Sequence, residues 1–211
     1  MLTHWEPRFI AFLTEQPDPP DAAHGLPHLC RVVASAQRIG NAEGAEVAVV
    51  LPAAWLHDCV TLPKDHPDRK RASRAAADHA VVFLREAGYP SQHLEAIHHA
   101  IEAHSFSANI PPRTLEAKVV QDADRLDALG AIGLARTLAV GTSLGRTLYA
   151  TDDPFCAHRT PDDYTYTLDH FYTKLLTLAG TMQTESGRLE AERRTAFLHA
   201  FLEQLRSEVG G

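Results

Sequence analysis

Four segments of the sequence carry residue types that can bind a metal ion or move a proton. Their histidines and acids are Asp21, His24, His28, His57, Asp58, His98, His99, His104, Asp122, Asp124 and Asp127. Imidazole nitrogens and carboxylate oxygens together suit a borderline divalent ion such as Mn²⁺, Fe²⁺, Co²⁺, Ni²⁺ or Zn²⁺. These residue types indicate a polar site that is assembled from several parts of the chain.

The spacing inside two of these segments fits such a site. His24 and His28 share one face of a helix, so one can bind metal while the other orients it or contacts a substrate. His57 and Asp58 diverge by about 100° on a helix, so an ion that lies between them can take both. Each motif also has an ordinary structural interpretation, namely a surface histidine pair, a solvated helix end, or an acidic face paired with Arg125.

The elements that must position these residues are helical, since apolar residues recur with a helical period nearly everywhere. Helices are predicted over residues 3–16, 24–39, 43–58, 70–87, 91–104, 113–140, 165–179 and 186–208. Residues 43–58 are apolar nearly all round, which indicates a central helix that ends at His57-Asp58. Pro52 inside it should kink or restart that helix. With no convincing strand pattern, the predicted fold class is all-α.

The composition excludes several classes of protein. Hydrophobic residues make up 45% and charged residues 22%, and the net charge is −7, which is typical of a soluble globular protein without a nucleic-acid-binding face. The longest apolar run is about ten residues, too short to span a bilayer. The three cysteines form no Cys-x-x-Cys pair, so reduced thiols are expected. The sequence predicts a cytoplasmic protein and leaves the oligomeric state open.

Taken in chain order, His28, His57-Asp58 and Asp124 resemble the ligand set of the HD-domain metal-dependent phosphohydrolases. The flanking sequences "HLCRV", "AAWLHD" and "DADRLDALGAIGLAR" agree. The sequences "IEAHSFSA" and "LDHFYTKLLTL…MQTESGR" resemble the YedJ-type bacterial branch. The resemblance covers nearly the whole chain. It implies a single HD domain over residues 1–211, with a helical core at about 20–140 and a helical extension at about 141–211.

The resemblance also implies the ligands. One divalent ion would be held by His28, His57, Asp58 and Asp124, with Mn²⁺ as the first choice and Fe²⁺, Co²⁺, Ni²⁺, Zn²⁺ or Mg²⁺ as alternatives. Asp124 is preferred to Asp122 because the family's ligand precedes Arg/Lys-Leu, as in "ADRL". Mg²⁺ ranks low because it prefers more oxygen ligands.

Members of the family with two metals are similar but add histidines that this sequence lacks. The first would lie near the start of the helix after the proline-rich connection, where this chain has Ala72 and Ser73. The later pair reads His104-Ser105. A single metal is therefore expected, and His104 is then available for a substrate phosphate.

The activity that the resemblance implies is hydrolysis of a small phosphorylated metabolite, with a nucleotide as the first candidate, at a monoester or within a triphosphate. Water activated by the metal would attack phosphorus, and Asp58 would bind the metal and steer the water. Related sites carry a Glu shortly after the His-Asp pair, but "HDCVTLPKDH" has none. Asp65 and His66 are the nearest candidates for the general base.

Substrate contacts are expected from basic residues near these motifs. Lys64, Arg69, Lys70, Arg71 and Arg74 form a local basic cluster that would clamp phosphates or balance nearby acids on a solvated face. The proposed substrate-binding residues are His24, Lys64, Arg71, His104 and Arg125. No nucleic-acid or membrane partner is expected.

Two other functions fit the same residues. A di-iron HD oxygenase would require the missing second-metal ligands. A non-catalytic HD module that binds a metal or a nucleotide would fit the absent Glu, although the intact ligand set argues against it.

Overall fold

The computed structural model describes residues 4–16, 25–62, 66 and 68–209. Within these residues the chain forms nine α-helices and no strand, which confirms the all-α prediction. The helices are α1 (Glu6–Thr14), α2 (Leu26–Glu43), α3 (Val47–Leu56), α4 (Ala72–Glu86), α5 (Leu94–Glu102), α6 (Leu115–Leu126), α7 (Gly130–Ser143), α8 (Asp169–Thr173) and α9 (Glu185–Val209). Short 3₁₀ turns cover Arg69–Arg71, Ser91–His93 and Leu175–Thr181. None of the described helices combines the length and apolarity needed to cross a bilayer.

The chain divides into two compact units, residues 1–124 and residues 125–211. The boundary lies inside α6, directly after Asp124. The interpretation of the chain as one HD domain with an extension from about residue 141 stays a prediction.

The first unit is built around α3, which is buried on nearly all sides. Its buried residues are Val49, Val50, Pro52, Ala53, Ala54, Trp55 and Leu56. Helices α2 and α5 pack against α3, and α4 packs against α5. The α-helix runs through Pro52 without interruption. Because the core surrounds α3, the residues that follow its last turn are held firmly in place.

Two glycines end the helices that flank α3. Gly44 follows α2 with a φ of 74°, which lets the Ala45 N–H donate to the Gly40 carbonyl at 2.9 Å. Gly88 follows α4 with a φ of 80°, and the Tyr89 N–H donates to the Leu84 carbonyl. This left-handed conformation is open to glycine at little cost.

Helix α6 approaches α2 and α3 closely at Gly40. A Cβ on Gly40 would lie 3.6 Å from Cγ1 of Val50 and 3.8 Å from Cγ1 of Val119. Val119, Val120 and Ala123 of α6 are fully buried. Apolar packing therefore fixes the position of α6 within the first unit.

In the second unit, α7 packs against α9. The long helical pattern predicted over 113–140 is two helices, because the chain leaves the helix between Leu126 and Gly130. Gly130 has a φ of 70°, and a Cβ on Gly133 would lie 2.2 Å from the Ala128 carbonyl oxygen. Both glycines are therefore required by the turn between the helices.

The helix predicted over 165–179 is shorter than expected. Helix α8 ends at Thr173, because Lys174 takes a non-helical conformation with φ −139° and ψ −60°. A 3₁₀ turn over Leu175–Thr181 follows.

An ion pair fastens the irregular stretch before α8. The Arg159 guanidinium donates two hydrogen bonds to the Asp169 carboxylate, one of them from Nη2 to Oδ1 at 2.7 Å. The Asp162 N–H donates a third at 2.6 Å. Asp169 is fully buried, so this carboxylate depends on these donors to compensate for its lost hydration.

Candidate metal centre

Three helices of the first unit position the four predicted ligands. His28 lies in the first turn of α2, where its N–H donates to the Gly25 carbonyl at 2.9 Å. His57 directly follows α3 and keeps helical dihedral angles. The Asp58 side chain therefore leaves the chain in a different direction from that of His57, as successive residues of a helix do. Asp124 lies in the last turn of α6. Segments far apart in sequence therefore deliver their side chains to one place.

The donor atoms of these four residues lie close together. The Nε2 atom of His28 is 3.4 Å from Nε2 of His57, 3.8 Å from Oδ2 of Asp58 and 3.5 Å from Oδ1 of Asp124. The Nε2 atom of His57 is 3.6 Å from the same Asp58 oxygen and 3.7 Å from the same Asp124 oxygen. Two imidazoles and two carboxylates therefore converge on one point.

This spacing fits one divalent ion. Ligand atoms about 2.1 Å from a tetrahedrally coordinated ion are separated by about 3.4 Å, close to the shortest of the observed distances. His28, His57 and Asp58 form the one group of three metal-ligating side chains in the described part of the chain whose ligand atoms all lie within 4.8 Å of one another. The imidazoles are buried, whereas the Asp58 and Asp124 side chains are 16% and 27% exposed. The cluster therefore reaches solvent on its carboxylate side.

The tautomer of His57 is set by the helix that carries it. The His57 Nδ1–H donates to the Ala54 carbonyl at 2.9 Å. This leaves the Nε2 lone pair for the cluster. An outer hydrogen bond of this kind is what fixes the orientation of metal-binding histidines.

His104 extends the cluster on the other side of Asp58. Its Nε2 atom is 3.4 Å from Oδ1 of Asp58, while Oδ2 of the same carboxylate faces the two imidazoles. The His104 Nδ1–H donates to the Ile101 carbonyl at 2.7 Å. His104 also packs edge-on against the His57 ring, with the centroids 4.7 Å apart. Asp58 therefore lies between the predicted metal ligands and His104.

The charges in the cluster shift the pKa values of its members. Burial alone lowers the pKa of His57, but the Asp58 and Asp124 carboxylates outweigh burial and raise this pKa to about 9. Burial alone raises the pKa values of Asp58 and Asp124, but His57 holds both well below their usual range. The metal-free cluster at neutral pH is therefore an imidazolium ion beside two carboxylates.

Metal binding should therefore release a proton. The His57 imidazole is protonated below pH 9 in the metal-free protein and must lose that proton to bind an ion. We expect Mn²⁺ affinity to rise by about tenfold per pH unit below pH 9 and to level off above it. Calorimetry in buffers of different ionisation enthalpy should count about one proton released per ion at pH 7. Binding at pH 7 without proton release would contradict this assignment.

The remaining predicted site residues have varied surroundings. His24, Lys64 and Asp65 lie outside the described residues. The Arg71 side chain is 82% exposed and lies 3.9 Å from the Asp68 carboxylate. The Nδ1 atom of His66 accepts the Asp68 N–H at 3.1 Å. In the second unit, Arg125 donates to the Thr181 carbonyl at 2.7 Å.

The other acids of the "QDADRLDALG" segment have different surroundings. Asp122 is fully buried, and it points to another side of α6 because residues two apart on a helix diverge by about 200°. Asp127 lies in the second unit and accepts a hydrogen bond from Arg136 at 2.6 Å. Asp124 is the acid of this segment whose oxygen lies within 3.7 Å of both imidazoles.

Of two further buried polar residues, Gln121 was missed by the sequence analysis and His99 was among its candidates. Gln121 donates through Nε2 to the Ala103 carbonyl at 2.7 Å. His99 pairs with Glu102 at 3.2 Å and accepts the Arg113 N–H at 2.9 Å. The position of Gln121 one helical turn before Asp124 was the available signal, since residues three apart share a helix face.

Comparisons with known proteins identify the family of this chain. Residues 25–129 match the HD domain family. YpgQ of Bacillus subtilis is 32% identical over 194 residues, which cover 90% of this chain and 86% of YpgQ. The crystal structure of YpgQ in complex with ADP superposes with a TM-score of 0.71 at 30% identity, covering 97% of this chain and 93% of that one.

A second solved structure, an HD-superfamily hydrolase from Bacillus thuringiensis, has a TM-score of 0.75 at 31% identity. The match covers 99% of this chain and 98% of the hydrolase. This likeness supports hydrolytic chemistry, and the matched HD region contains His28, His57, Asp58 and Asp124. The sequence of the present chain, its all-α fold and its His-His-Asp cluster together show that it belongs to the HD-domain family.

Proposed function

We propose that this protein is a metal-dependent phosphohydrolase that cleaves a phosphate ester or anhydride of a small metabolite, with a nucleotide as the preferred candidate. The observation that carries the proposal is that the Nε2 atoms of His28 and His57 lie 3.4 Å apart and each lies 3.5–3.8 Å from a carboxylate oxygen of Asp58 and of Asp124. Two carboxylates balance the charge of one divalent ion, and two imidazoles favour a transition metal over Mg²⁺. Mn²⁺ is the ion that we would supply first.

Each residue of the cluster has a task in this proposal. A bound divalent ion would polarise the phosphoryl group and lower the pKa of a coordinated water. His28 and His57 hold the ion from the buried side, and Ala54 keeps the Nε2 lone pair of His57 available. Asp58 connects this set to His104, whose Nε2 lies 3.4 Å from Oδ1 of Asp58. His104 is thus placed to contact a phosphate held beside Asp58.

A nucleotide is the preferred substrate because of a relative. YpgQ was crystallised in complex with ADP, and that structure matches 97% of this chain at 30% identity. We propose that this chain also binds a nucleoside phosphate. Whether the cleaved bond is a monoester or an anhydride is left to the products measured below.

The general base and the phosphate clamps are further parts of the proposal. The Nδ1 lone pair of His66 is used by the Asp68 N–H, so His66 would have to break that bond to accept a proton there. Asp65 is therefore preferred as general base. Arg71, with its largely exposed guanidinium, is preferred for a phosphate contact, and His24, Lys64 and Arg125 stay in the proposed set.

The test is product release by the purified protein. With Mn²⁺, a panel of ATP, ADP, AMP and glucose 6-phosphate should yield phosphate or pyrophosphate from at least one nucleotide, and EDTA should stop the reaction. His57→Ala should reduce release to background, because the ion loses a buried ligand. The matched control is His98→Ala, since His98 pairs with Asp78 at 2.8 Å. His98→Ala should retain full activity.

Elemental analysis separates the proposal from its rivals. One metal per chain with product release supports the phosphohydrolase. Two irons per chain without release would point to the oxygenase. Metal and nucleotide binding without turnover would leave a non-catalytic module.

A further inference from the structure

One buried amide links the helix of Asp124 to the segment of His104. Gln121 lies one turn before Asp124 on α6, and its exposed fraction is 2%. Its Nε2–H donates to the Ala103 carbonyl at 2.7 Å, and Ala103 directly precedes His104. The hydrogen bond therefore spans the gap between a predicted metal ligand and a predicted phosphate contact.

The orientation of this amide follows from its partner. If the amide were flipped, its oxygen would face the Ala103 carbonyl and the two would repel, so the nitrogen must occupy this place. The other amide atom, Oε1, is buried and has no hydrogen-bonding partner among the described residues. An acceptor left in this state carries a desolvation cost. The hydrogen bond to Ala103 is therefore the contact through which this amide can act.

The helix of Asp124 has other supports besides this hydrogen bond. Helix α6 is held against α2 and α3 by buried Val119 and Val120 and by the close approach at Gly40. His104 lies two residues beyond the end of α5, and its own Nδ1–H bonds one turn back, to Ile101. Gln121 is the side chain that ties the residue before His104 to the Asp124 helix.

We propose that Gln121 is a positioning residue that sets where His104 lies relative to Asp58 and Asp124. This inference rests on the proposed phosphohydrolase function, in which His104 contacts the substrate phosphate. Gln121 acts through His104 and not through the ion. Its removal should therefore impair turnover while metal affinity is unchanged.

The variant Gln121→Met keeps the length of the side chain and removes the donor. We expect kcat/KM for nucleotide hydrolysis with Mn²⁺ to fall by about 10- to 100-fold, the range for residues that orient a site from outside it. Mn²⁺ affinity, measured by calorimetry, should match that of the unsubstituted protein. In a His104→Ala background, Gln121→Met should cause little further loss, because the two residues act as one unit.

A matched control removes a similar hydrogen bond elsewhere in the first unit. The Tyr89 hydroxyl donates to the Ala48 carbonyl at 2.6 Å, so Tyr89→Phe deletes one side-chain bond between the segment after α4 and helix α3. It should leave kcat/KM unchanged. If Gln121→Met does not fold, Gln121→Asn serves instead, because it keeps the amide but is one methylene too short to reach Ala103.

A measurement without turnover separates this inference from the proposed function. The imidazole ¹⁵N resonances of His104 should shift in metal-free Gln121→Met and stay unchanged in Tyr89→Phe. If the protein hydrolyses no phosphate compound but these resonances shift, the proposed function fails while the positioning role stands. Unchanged resonances would overturn the inference. So would a parallel loss of Mn²⁺ affinity, or losses that multiply in the double variant.

Discussion

Asp124→Ala should lower Mn²⁺ affinity by more than about 100-fold and remove metal-dependent turnover. Loss of an outer partner of a metal site costs 10- to 100-fold, and Asp124 is itself a predicted ligand, with Oδ1 3.5 Å from His28 Nε2 and 3.7 Å from His57 Nε2. The helices should remain folded, because the Asp124 side chain is partly exposed and the core lies around α3. Calorimetry with Mn²⁺ and a far-ultraviolet circular dichroism spectrum check both statements.

The same substitution has a second readout in the metal-free protein. Asp124 helps to raise the pKa of His57 to about 9, so the pKa of His57 should fall in Asp124→Ala when followed by NMR titration. Asp78→Ala is the matched control, because Asp78 also pairs with a histidine, His98, at 2.8 Å. It should change neither Mn²⁺ affinity nor the pKa of His57. Full metal occupancy in Asp124→Ala would transfer the ligand to Asp122.

Arg159→Ala should destabilise the second unit by about 3–5 kcal/mol, the cost of leaving a buried charge without its partner. Asp169 is fully buried and accepts two of its hydrogen bonds from the Arg159 guanidinium. The Asp162 N–H and the Cys156 thiol, which is a weak donor, carry no positive charge to replace the guanidinium. Amide hydrogen exchange in α8 and α9 should speed up accordingly.

Tryptophan fluorescence is not a suitable probe of unfolding in the second unit. Both tryptophans of the chain, Trp5 and Trp55, belong to the first unit, so their fluorescence does not report directly on the second. Arg188→Ala provides the control, since Arg188 pairs with Glu192 on the exposed surface of α9. Exposed pairs contribute little, and exchange in α8 should stay unchanged. Equal protection of α8 in Arg159→Ala and the unsubstituted protein would contradict the role given to the ion pair.

The sequence predicted that His28, His57, Asp58 and Asp124 would lie together, although their role as metal ligands stays a prediction. The apolar run before His57 predicts a buried helix, and the resemblance to the HD family implies Asp124 through "ADRL". The outer hydrogen bonds could not be predicted in the same way. Ala54, Ile101 and Ala103 contribute backbone carbonyls, and every residue type has a carbonyl. Nothing in the side-chain sequence therefore marks these acceptors.

The second unit shows the same limit for the fold. The glycines at 130 and 133 interrupt the helical pattern, but their spacing does not say whether the helix bends or ends. The structure ends α6 at Leu126, because Gly130 takes a positive φ and Gly133 lies against the Ala128 carbonyl. The link between Arg159 and Asp169 joins an irregular stretch to a short helix. An irregular stretch has no periodic pattern of apolar residues, so such a pattern cannot predict this contact.

The separation of the ligands along the chain has a consequence for biogenesis. His28 lies on α2, His57 and Asp58 follow α3, and Asp124 is in the last turn of α6, so no single segment holds more than two of the four donors. Contacts between distant segments form only after the intervening chain has closed on itself. As the polypeptide is synthesised, a complete set of donors cannot exist before Asp124 has left the ribosome. In the proposed metal centre, capture of the ion would thus be a late event that distinguishes a finished first unit from a nascent one.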